Sequence, residues 1–81
     1  MITSFVVYSK KGCTFCDKAK ALLKEKDLMF LSIDIEEDFD ALEWFISQGF
    51  KTVPQIYVLK GGEKQHIGGF TELEKEIDKY S

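Results

Sequence analysis

The hydrophobic positions of this 81-residue chain fall alternately into unbroken runs and into helical spacings. Residues 2–8 are almost continuously apolar and β-branched or aromatic, which is typical of a strand buried on both faces of a parallel sheet. From near Thr14 to Leu23 the apolar residues recur every three or four positions, which predicts a helix. Residues 28–35 predict a second strand.

A second helix is predicted for the middle of the chain. The acidic residues within positions 36–40 suit a helix start, because negative charge interacts favourably with the amino-terminal end of the helix dipole. Gly49 can end this helix. Its expected apolar stripe consists of Phe39, Leu42, Phe45 and Ile46.

Two strands and a short helix are predicted for the last third. Residues 55–59 predict a third strand, residues 60–63 a hairpin turn, and residues 64–67 an edge strand antiparallel to the third. Thr71 and Glu74 fit a capping box at the start of the last helix. The apolar positions of that helix are Phe70, Leu73, Ile77 and Tyr80.

The predicted order of elements is therefore βαβ followed by αββα. Composition and charge exclude several classes of protein. No segment is rich enough in Pro, Gly or Ser to be a linker, so we expect one domain over residues 1–81. The formal net charge is -3, which argues against a general nucleic-acid binder. The apolar runs are too short to span a bilayer, and the N-terminus lacks the pattern of a signal peptide, so no membrane association is expected.

The two cysteines of the chain form the motif Cys13-Thr14-Phe15-Cys16, between the first strand and the first helix. The unpaired N–H groups of a helix start favour a thiolate, which is the reactive species. A Cys-x-x-Cys near a βαβ pattern indicates a thioredoxin-like redox site. Such a pair suits a reducing compartment, where it is catalytic, regulatory or metal-binding, and we expect a cytoplasmic protein.

Helical geometry assigns different roles to the two cysteines. Cys16 lies on the stripe of Ala19 and Leu23 and should point inward, whereas Cys13 sits at the turn and should be accessible. Cys13 is therefore the expected nucleophile, and Cys16 the residue that resolves the mixed disulfide. The competing interpretation is that Cys16 is simply a small buried apolar residue.

Four landmarks occur together over nearly the whole chain: residues 8–16, Thr52-Val53-Pro54 before a strand, Gly68-Gly69 after the edge strand, and the short helix that follows. With these landmarks the chain resembles the dithiol glutaredoxins of the thioredoxin superfamily. The resemblance implies an α/β, thioredoxin-like fold, in which three helices flank a four-stranded mixed sheet. It also implies a thiol–disulfide oxidoreductase with no metal or bound cofactor and with glutathione as reductant.

Two departures from the family pattern lie at the expected site. Dithiol glutaredoxins usually have Pro and Tyr between the cysteines, where this chain has Thr14 and Phe15. The missing proline adds a backbone donor near the sulfurs. After the glycine pair the family often has a small or polar residue and then Asp, whereas this chain has residues 70–72, Phe-Thr-Glu.

The resemblance also implies a set of substrate-binding residues. Lys10 matches a basic position that contacts a glutathione carboxylate, and Phe15 would form a wall of the cleft. The bond before Pro54 would be cis, which turns the Val53 backbone outward beside Cys13. The remaining expected glutathione-binding residues are Thr52, which precedes Val53, and Gly69, Phe70, Thr71 and Glu72 at the γ-glutamyl end, with Glu72 facing the amine.

Simpler interpretations compete for several of these residues. Thr71 fits an N-cap, Glu72 a partner of the helix dipole, and the lysines at 10 and 11 solvated turn residues. His66, on the edge strand, indicates a surface residue more than a ligand or base. Trp44 belongs with the core more than with a cofactor site.

The predicted function is reduction of protein disulfides and glutathione mixed disulfides by a monomer, with ribonucleotide reductase as a frequent partner of such small proteins. One alternative is a glutaredoxin-like thioredoxin recharged by a thioredoxin reductase, which is a flavoprotein. Another is an iron–sulfur cluster carrier that uses Cys13 with glutathione or a second protomer. Cys16 counts against a carrier of the monothiol type. A carrier with altered residues between its cysteines stays an alternative, because this chain lacks the proline.

Overall fold

The computed structural model describes residues 3–80. Its four strands are β1 (Thr3–Ser9), β2 (Met29–Asp34), β3 (Gln55–Lys60) and β4 (Glu63–Gly68). Its helices are α1 (Thr14–Glu25), α2 (Phe39–Ser47) and α3 (Phe70–Glu76), and a 3₁₀ turn, Ile77–Lys79, follows α3. The predicted order of strands and helices is confirmed. Ile2, included in the predicted first strand, lies outside the described residues.

The four strands form one mixed sheet in the order β2-β1-β3-β4. β1 pairs in parallel with β2, because α1 carries the chain back across the sheet between them. β3 pairs antiparallel with β1, and β4 antiparallel with β3. The predicted α/β architecture, with three helices and a four-stranded mixed sheet, is therefore confirmed.

β1 is a central strand, and its side chains supply both faces of the sheet. Phe5 and Val7 point into a first core cluster, which includes residues of α1 and α3. Val6 and Tyr8 point into a second cluster with Phe45 of α2. This alternation follows from the two-residue period of a strand. The first cluster consists of Phe5, Val7, Ala19, Leu23, Ile56, Val58, Leu73 and Ile77, and the second of Val6, Tyr8, Ile35, Phe45 and Tyr57.

The side chain of Lys64, in β4, packs against aromatic rings of the second cluster. Lys64 Nζ lies 3.1 Å from the Tyr8 hydroxyl and 4.6 and 4.7 Å from the ring centroids of Trp44 and Tyr57. Burial raises the pKa of Tyr57 above 10.0, and the neighbouring Tyr8 adds to this effect. Tyr57 therefore stays neutral at neutral pH, and the Lys64 charge interacts with ring faces. Trp44 packs against this cluster, as expected for a core residue.

α2 differs from its prediction at both ends of the apolar stripe. It begins at Phe39, with the Asp38 carboxylate accepting the Ala41 N–H at 3.0 Å, so most of the acidic run precedes the helix. Phe39 and Ile46 are 70% and 62% exposed, and their assignment to the buried stripe was wrong. Each residue turns a helix by about 100°, which rotates Ile46 away from the face of the buried Phe45.

The start of α3 also differs from its prediction. Gly69 is the N-cap, and the Glu72 carboxylate accepts the Gly69 N–H at 2.7 Å, so the proposed pair of Thr71 and Glu74 was wrong. The helix begins at Phe70, before the predicted N-cap Thr71, so Phe70 belongs to the helix as well as to its apolar stripe. The four residues of that stripe pack in or against the first cluster, as predicted: Phe70, Leu73, Ile77 and Tyr80.

The remaining boundaries shift by small amounts. β2 is shorter at both ends than the predicted 28–35, and β4 extends past 64–67 at each end. Gly61 and Gly62 both have positive φ angles, which suits the tight hairpin between β3 and β4. Among residues 3–80, no helix is long and apolar enough to cross a membrane.

Replacement of Lys64 by glutamine should lower the free energy of unfolding by about 0.5–2 kcal/mol, because the cation–π contacts with Trp44 and Tyr57 are lost. Urea unfolding followed by circular dichroism measures this change. Lys75→Gln, on the exposed part of α3, makes the same change in net charge and should cost less than about 0.5 kcal/mol. Equal losses in the two variants would contradict the role given to Lys64.

Candidate active site

The turn between β1 and α1 places Cys13 just before the helix, and Cys16 lies in the first turn of α1. The chain leaves β1 at Ser9 and begins α1 at Thr14. Gly12 in this turn has a φ angle of +75°, which glycine adopts without a steric penalty. Cys13 follows it and is the N-cap of α1. The fold therefore holds Cys13 at the amino-terminal end of a helix.

Cys13 and Cys16 are joined in a disulfide, with their Cα atoms 5.2 Å apart. The Cys16 N–H points at Cys13 Sγ at 3.1 Å, so the sulfur takes the place of an N-cap oxygen. In the reduced protein the same N–H and the helix dipole stabilise a thiolate at Cys13. Cys16 is only 1% exposed and Cys13 is half-buried, which is the arrangement that the helical spacing predicts.

The loop that precedes β3 lies against the cysteine turn. The peptide bond between Val53 and Pro54 is cis, as the resemblance implies. Cys13 Sγ lies 3.7 Å from the Val53 carbonyl oxygen, and Pro54 is buried. The Val53 backbone therefore borders the sulfur, next to the space that a substrate disulfide must enter.

Hydrogen bonds connect this loop to β4. Gln55 Nε2 donates to the Thr52 carbonyl oxygen at 3.1 Å and lies 3.3 Å from the Thr52 hydroxyl. Gln55 Oε1 lies 2.8 Å from His66 Nε2, and the His66 ring packs against those of Phe50 and Tyr57, with centroids 5.0 and 4.9 Å away. His66 is exposed, as predicted, but it also anchors the loop through Gln55.

Two cavities meet at Val53, one on each side. The first cavity, of about 350 Å³, brings together most of the predicted glutathione-binding residues. The second cavity, of about 300 Å³, holds Cys13 and Lys10. Cys16 lines neither cavity. The first cavity is lined by Phe15, Thr52, Val53, Pro54, Gln55, Gly68, Gly69, Phe70, Thr71 and Glu72, and the second by Lys10, Cys13, Ile35, Phe45, Lys51, Thr52 and Val53.

The glycine pair in the first cavity makes room for Glu72. A Cβ atom at Gly68 would lie 2.9 Å from the Glu72 side chain, and Gly68 has a φ angle of +127°. Glu72 packs against Gly68 and accepts the Gly69 N–H, so its side chain fills the space beside the glycine pair. Thr71 is exposed within the first turn of α3 and does not cap it.

Two lysines border Cys13 in the second cavity, and sequence reasoning named only one. Lys10 lines it as expected, and so does Lys51, which lies in the loop that precedes β3. Lys11 instead forms an exposed ion pair with Glu37 at 3.4 Å. Because Lys10 and Lys51 line the same cavity as Cys13, their positive charges favour the thiolate and attract carboxylates. Lys51 directly precedes the Thr-Val-Pro landmark, and this adjacency was the signal that could have identified it.

The fold and the site together define a class of protein. A thiolate at a helix start attacks a disulfide, and a second cysteine one turn along the helix completes the exchange. Within residues 3–80, no three His, Cys, Asp or Glu side chains are grouped so that they could hold a metal ion. The molecule is a thiol–disulfide oxidoreductase of the thioredoxin superfamily.

Comparisons with known proteins narrow this class. The glutaredoxin family model matches residues 5–64. Glutaredoxin 1 of Rickettsia conorii is 38% identical over 82 residues, covering 94% of this chain and 76% of the relative. The hybrid peroxiredoxin hyPrx5 of Haemophilus influenzae is 42% identical over 72 residues, covering 89% of this chain, and the chain spans only 28% of that relative's length. The chain belongs to the glutaredoxin family.

A solved structure supports the same assignment. The buckwheat glutaredoxin–glutathione complex superposes with a TM-score of 0.70 at 26% sequence identity, covering 95% of this chain and 70% of that chain.

The burial difference predicts selective alkylation of the reduced protein. A short iodoacetamide pulse should label Cys13 more than about tenfold faster than Cys16, because a buried cysteine is inert. Mass spectrometry of the digested protein gives the ratio, and urea-unfolded protein, in which both thiols are accessible, is the control. Equal labelling in the folded protein would contradict the assigned roles.

Proposed function

We propose that this protein reduces protein disulfides and glutathione mixed disulfides and is recharged by glutathione. The observation that carries the proposal is the pair of cavities of unlike charge that meet beside Cys13. One is lined by the acidic residue Glu72, and the other by the basic residues Lys10 and Lys51. Glutathione has an amine and a carboxylate at its γ-glutamyl end, a second carboxylate at its glycine end, and its thiol between them.

Backbone pairing gives the ligand a direction. Pro54 has no N–H, so Val53 is the residue beside Cys13 that offers both a donor and an acceptor. A single residue exchanges both hydrogen bonds with one partner residue only in an antiparallel pair. The chain runs from Lys51 in the second cavity to Gln55 in the first, so an antiparallel ligand runs the opposite way.

This direction matches the charges of glutathione. Its γ-glutamyl end would enter the first cavity near Glu72, and its glycine carboxylate would enter the second near Lys10 and Lys51. Glu72 already accepts the Gly69 N–H, but a carboxylate has room for a second donor, so the amine can share it. The complex of the buckwheat glutaredoxin with glutathione supports a site of this kind in the family.

The proposed reaction is an exchange of sulfur bonds. The Cys13 thiolate attacks one sulfur of a protein disulfide and releases the other as a thiolate. Cys16 then attacks Cys13 Sγ, which frees the second protein thiol and leaves the disulfide between the cysteines. One glutathione reopens that disulfide by bonding to Cys13, and a second takes the first away as oxidised glutathione. With a glutathione mixed disulfide, Cys13 alone completes the cycle.

One observation favours a competing reductant. Because Glu72 occupies the Gly69 N–H, that donor is withdrawn from the γ-glutamyl carboxylate of glutathione. A thioredoxin reductase, the alternative from the sequence, would not need that donor. The cytoplasmic location, the monomeric state, the ribonucleotide reductase partnership and the lack of a bound cofactor stay predictions.

Turnover with each reductant separates these proposals. The protein should reduce a glutathionylated peptide when supplied with glutathione, glutathione reductase and NADPH, and should be slower with thioredoxin reductase and NADPH. NADPH oxidation at 340 nm measures both. Turnover with thioredoxin reductase but not with glutathione would contradict the proposal and would favour the glutaredoxin-like thioredoxin.

Cysteine variants test the proposed division of labour. Cys13→Ser should abolish reduction of both substrate classes, because the attacking sulfur is gone. Cys16→Ser should retain most activity on a glutathionylated peptide and lose most activity on a protein disulfide, since only the latter needs intramolecular closure. Insulin reduction and the coupled glutathione assay give the two rates. Equal loss of peptide deglutathionylation in both variants would overturn the assignment.

The charged residues should affect the Michaelis constant for glutathione. Lys10→Gln, Lys51→Gln and Glu72→Gln should each raise it several-fold at most, because exposed charge pairs contribute about 0–1 kcal/mol. Added salt should narrow the differences between these variants and the wild type. Lys11→Gln, whose lysine pairs with Glu37 and lines neither cavity, is the matched control and should leave the constant unchanged.

A further inference from the structure

Two phenylalanine rings form one end of the first cavity. Phe15 lies in the first turn of α1 and is 54% exposed, and Phe70 is the first residue of α3. Their ring centroids are 6.1 Å apart, with 37° between the ring planes. Phe70 is half-buried and packs against the first core cluster, so the core fixes its position. We call Phe15 and Phe70 the aromatic pair.

Small and apolar residues share the first cavity with the aromatic pair, and so does the Glu72 carboxylate. Pro54, Gly68 and Gly69 line this cavity, and the two glycines have no side chains. The Glu72 carboxylate is held by the Gly69 N–H at 2.7 Å. Covering the exposed ring of Phe15 with an apolar side chain removes apolar surface from water and so stabilises a complex.

The direction of backbone pairing determines which residues of a peptide substrate enter each cavity. A substrate that runs antiparallel along Val53 places residues that precede its cysteine in the first cavity and residues that follow it in the second. Side chains two residues apart in an extended chain share one face and lie about 7 Å apart. The second residue before the substrate cysteine therefore faces the aromatic pair, and the second residue after it faces Lys10 and Lys51.

We propose that the aromatic pair and these two lysines select disulfides of peptides and proteins whose reacting cysteine has an aromatic residue two positions before it and an acidic residue two positions after it. This inference rests on the exchange chemistry and backbone pairing of the proposed function, but not on glutathione as the reductant. Lys10 and Lys51 favour an acidic residue after the substrate cysteine, because the charges are opposite. Phe15 and Phe70 favour an aromatic residue before it, because the rings can pack together.

The test compares two peptides of identical composition and charge. They are the symmetric disulfides of acetyl-Phe-Gly-Cys-Gly-Glu-amide and of the reversed order, acetyl-Glu-Gly-Cys-Gly-Phe-amide. Pre-reduced protein is mixed with each in a single turnover without glutathione. The Cys13 thiolate attacks one sulfur and one peptide thiol leaves. Cys16 then forms the disulfide with Cys13, and the second peptide thiol leaves. Chromatography of the released thiol gives the rate.

The first peptide should react about 2- to 10-fold faster than the reversed one, as expected for one aromatic contact. Phe15→Ala should remove most of that preference, and Lys51→Gln part of it. Phe39→Ala, at an exposed phenylalanine that lines neither cavity, is the matched control and should retain the preference in full.

Equal rates for the two peptides with the wild type, or an unchanged preference in Phe15→Ala, would overturn the inference. Because no glutathione is present, failure of glutathione as the reductant would leave this result intact. Release of no thiol from either peptide would instead contradict the exchange chemistry, and the inference with it.

Discussion

The contact between the Cys16 N–H and Cys13 Sγ, at 3.1 Å, is the constraint on which the site depends. It makes the attacking sulfur the cap of α1, so the position of the sulfur is set by the position of the helix. The helix is held in turn by Ala19 and Leu23, both fully buried against the sheet. Packing in the first cluster therefore positions the nucleophile and places the helix dipole behind it.

The two core clusters also explain why the cavities differ in character. The first cavity continues from the first cluster through Phe70, and the second cavity continues from the second cluster through Ile35 and Phe45. The site thus spans the end of the sheet, and Val53 is where its two halves meet. A ligand that crosses this point meets apolar rings on one side and lysines on the other.

Much of this arrangement could be predicted from local pattern, because strand runs, helical spacing and the Cys-x-x-Cys motif depend on neighbouring residues. The start of α3 could not, because it depends on the fit of Glu72 against Gly68, a contact that only the folded backbone creates. The link from His66 through Gln55 to Thr52 depends on the pairing of β3 with β4, including its register shift between Ile56 and Tyr57.

The direction in which a ligand crosses Val53 can be measured on a trapped complex. Cys16→Ser protein can be trapped as the mixed disulfide of Cys13 with glutathione and examined by NMR. We expect nuclear Overhauser contacts from the γ-glutamyl protons to the rings of Phe15 and Phe70, and from the glycine protons to Lys51 and Phe45, as an antiparallel orientation along Val53 requires. Contacts in the reverse sense, with glycine against the aromatic rings, would contradict it.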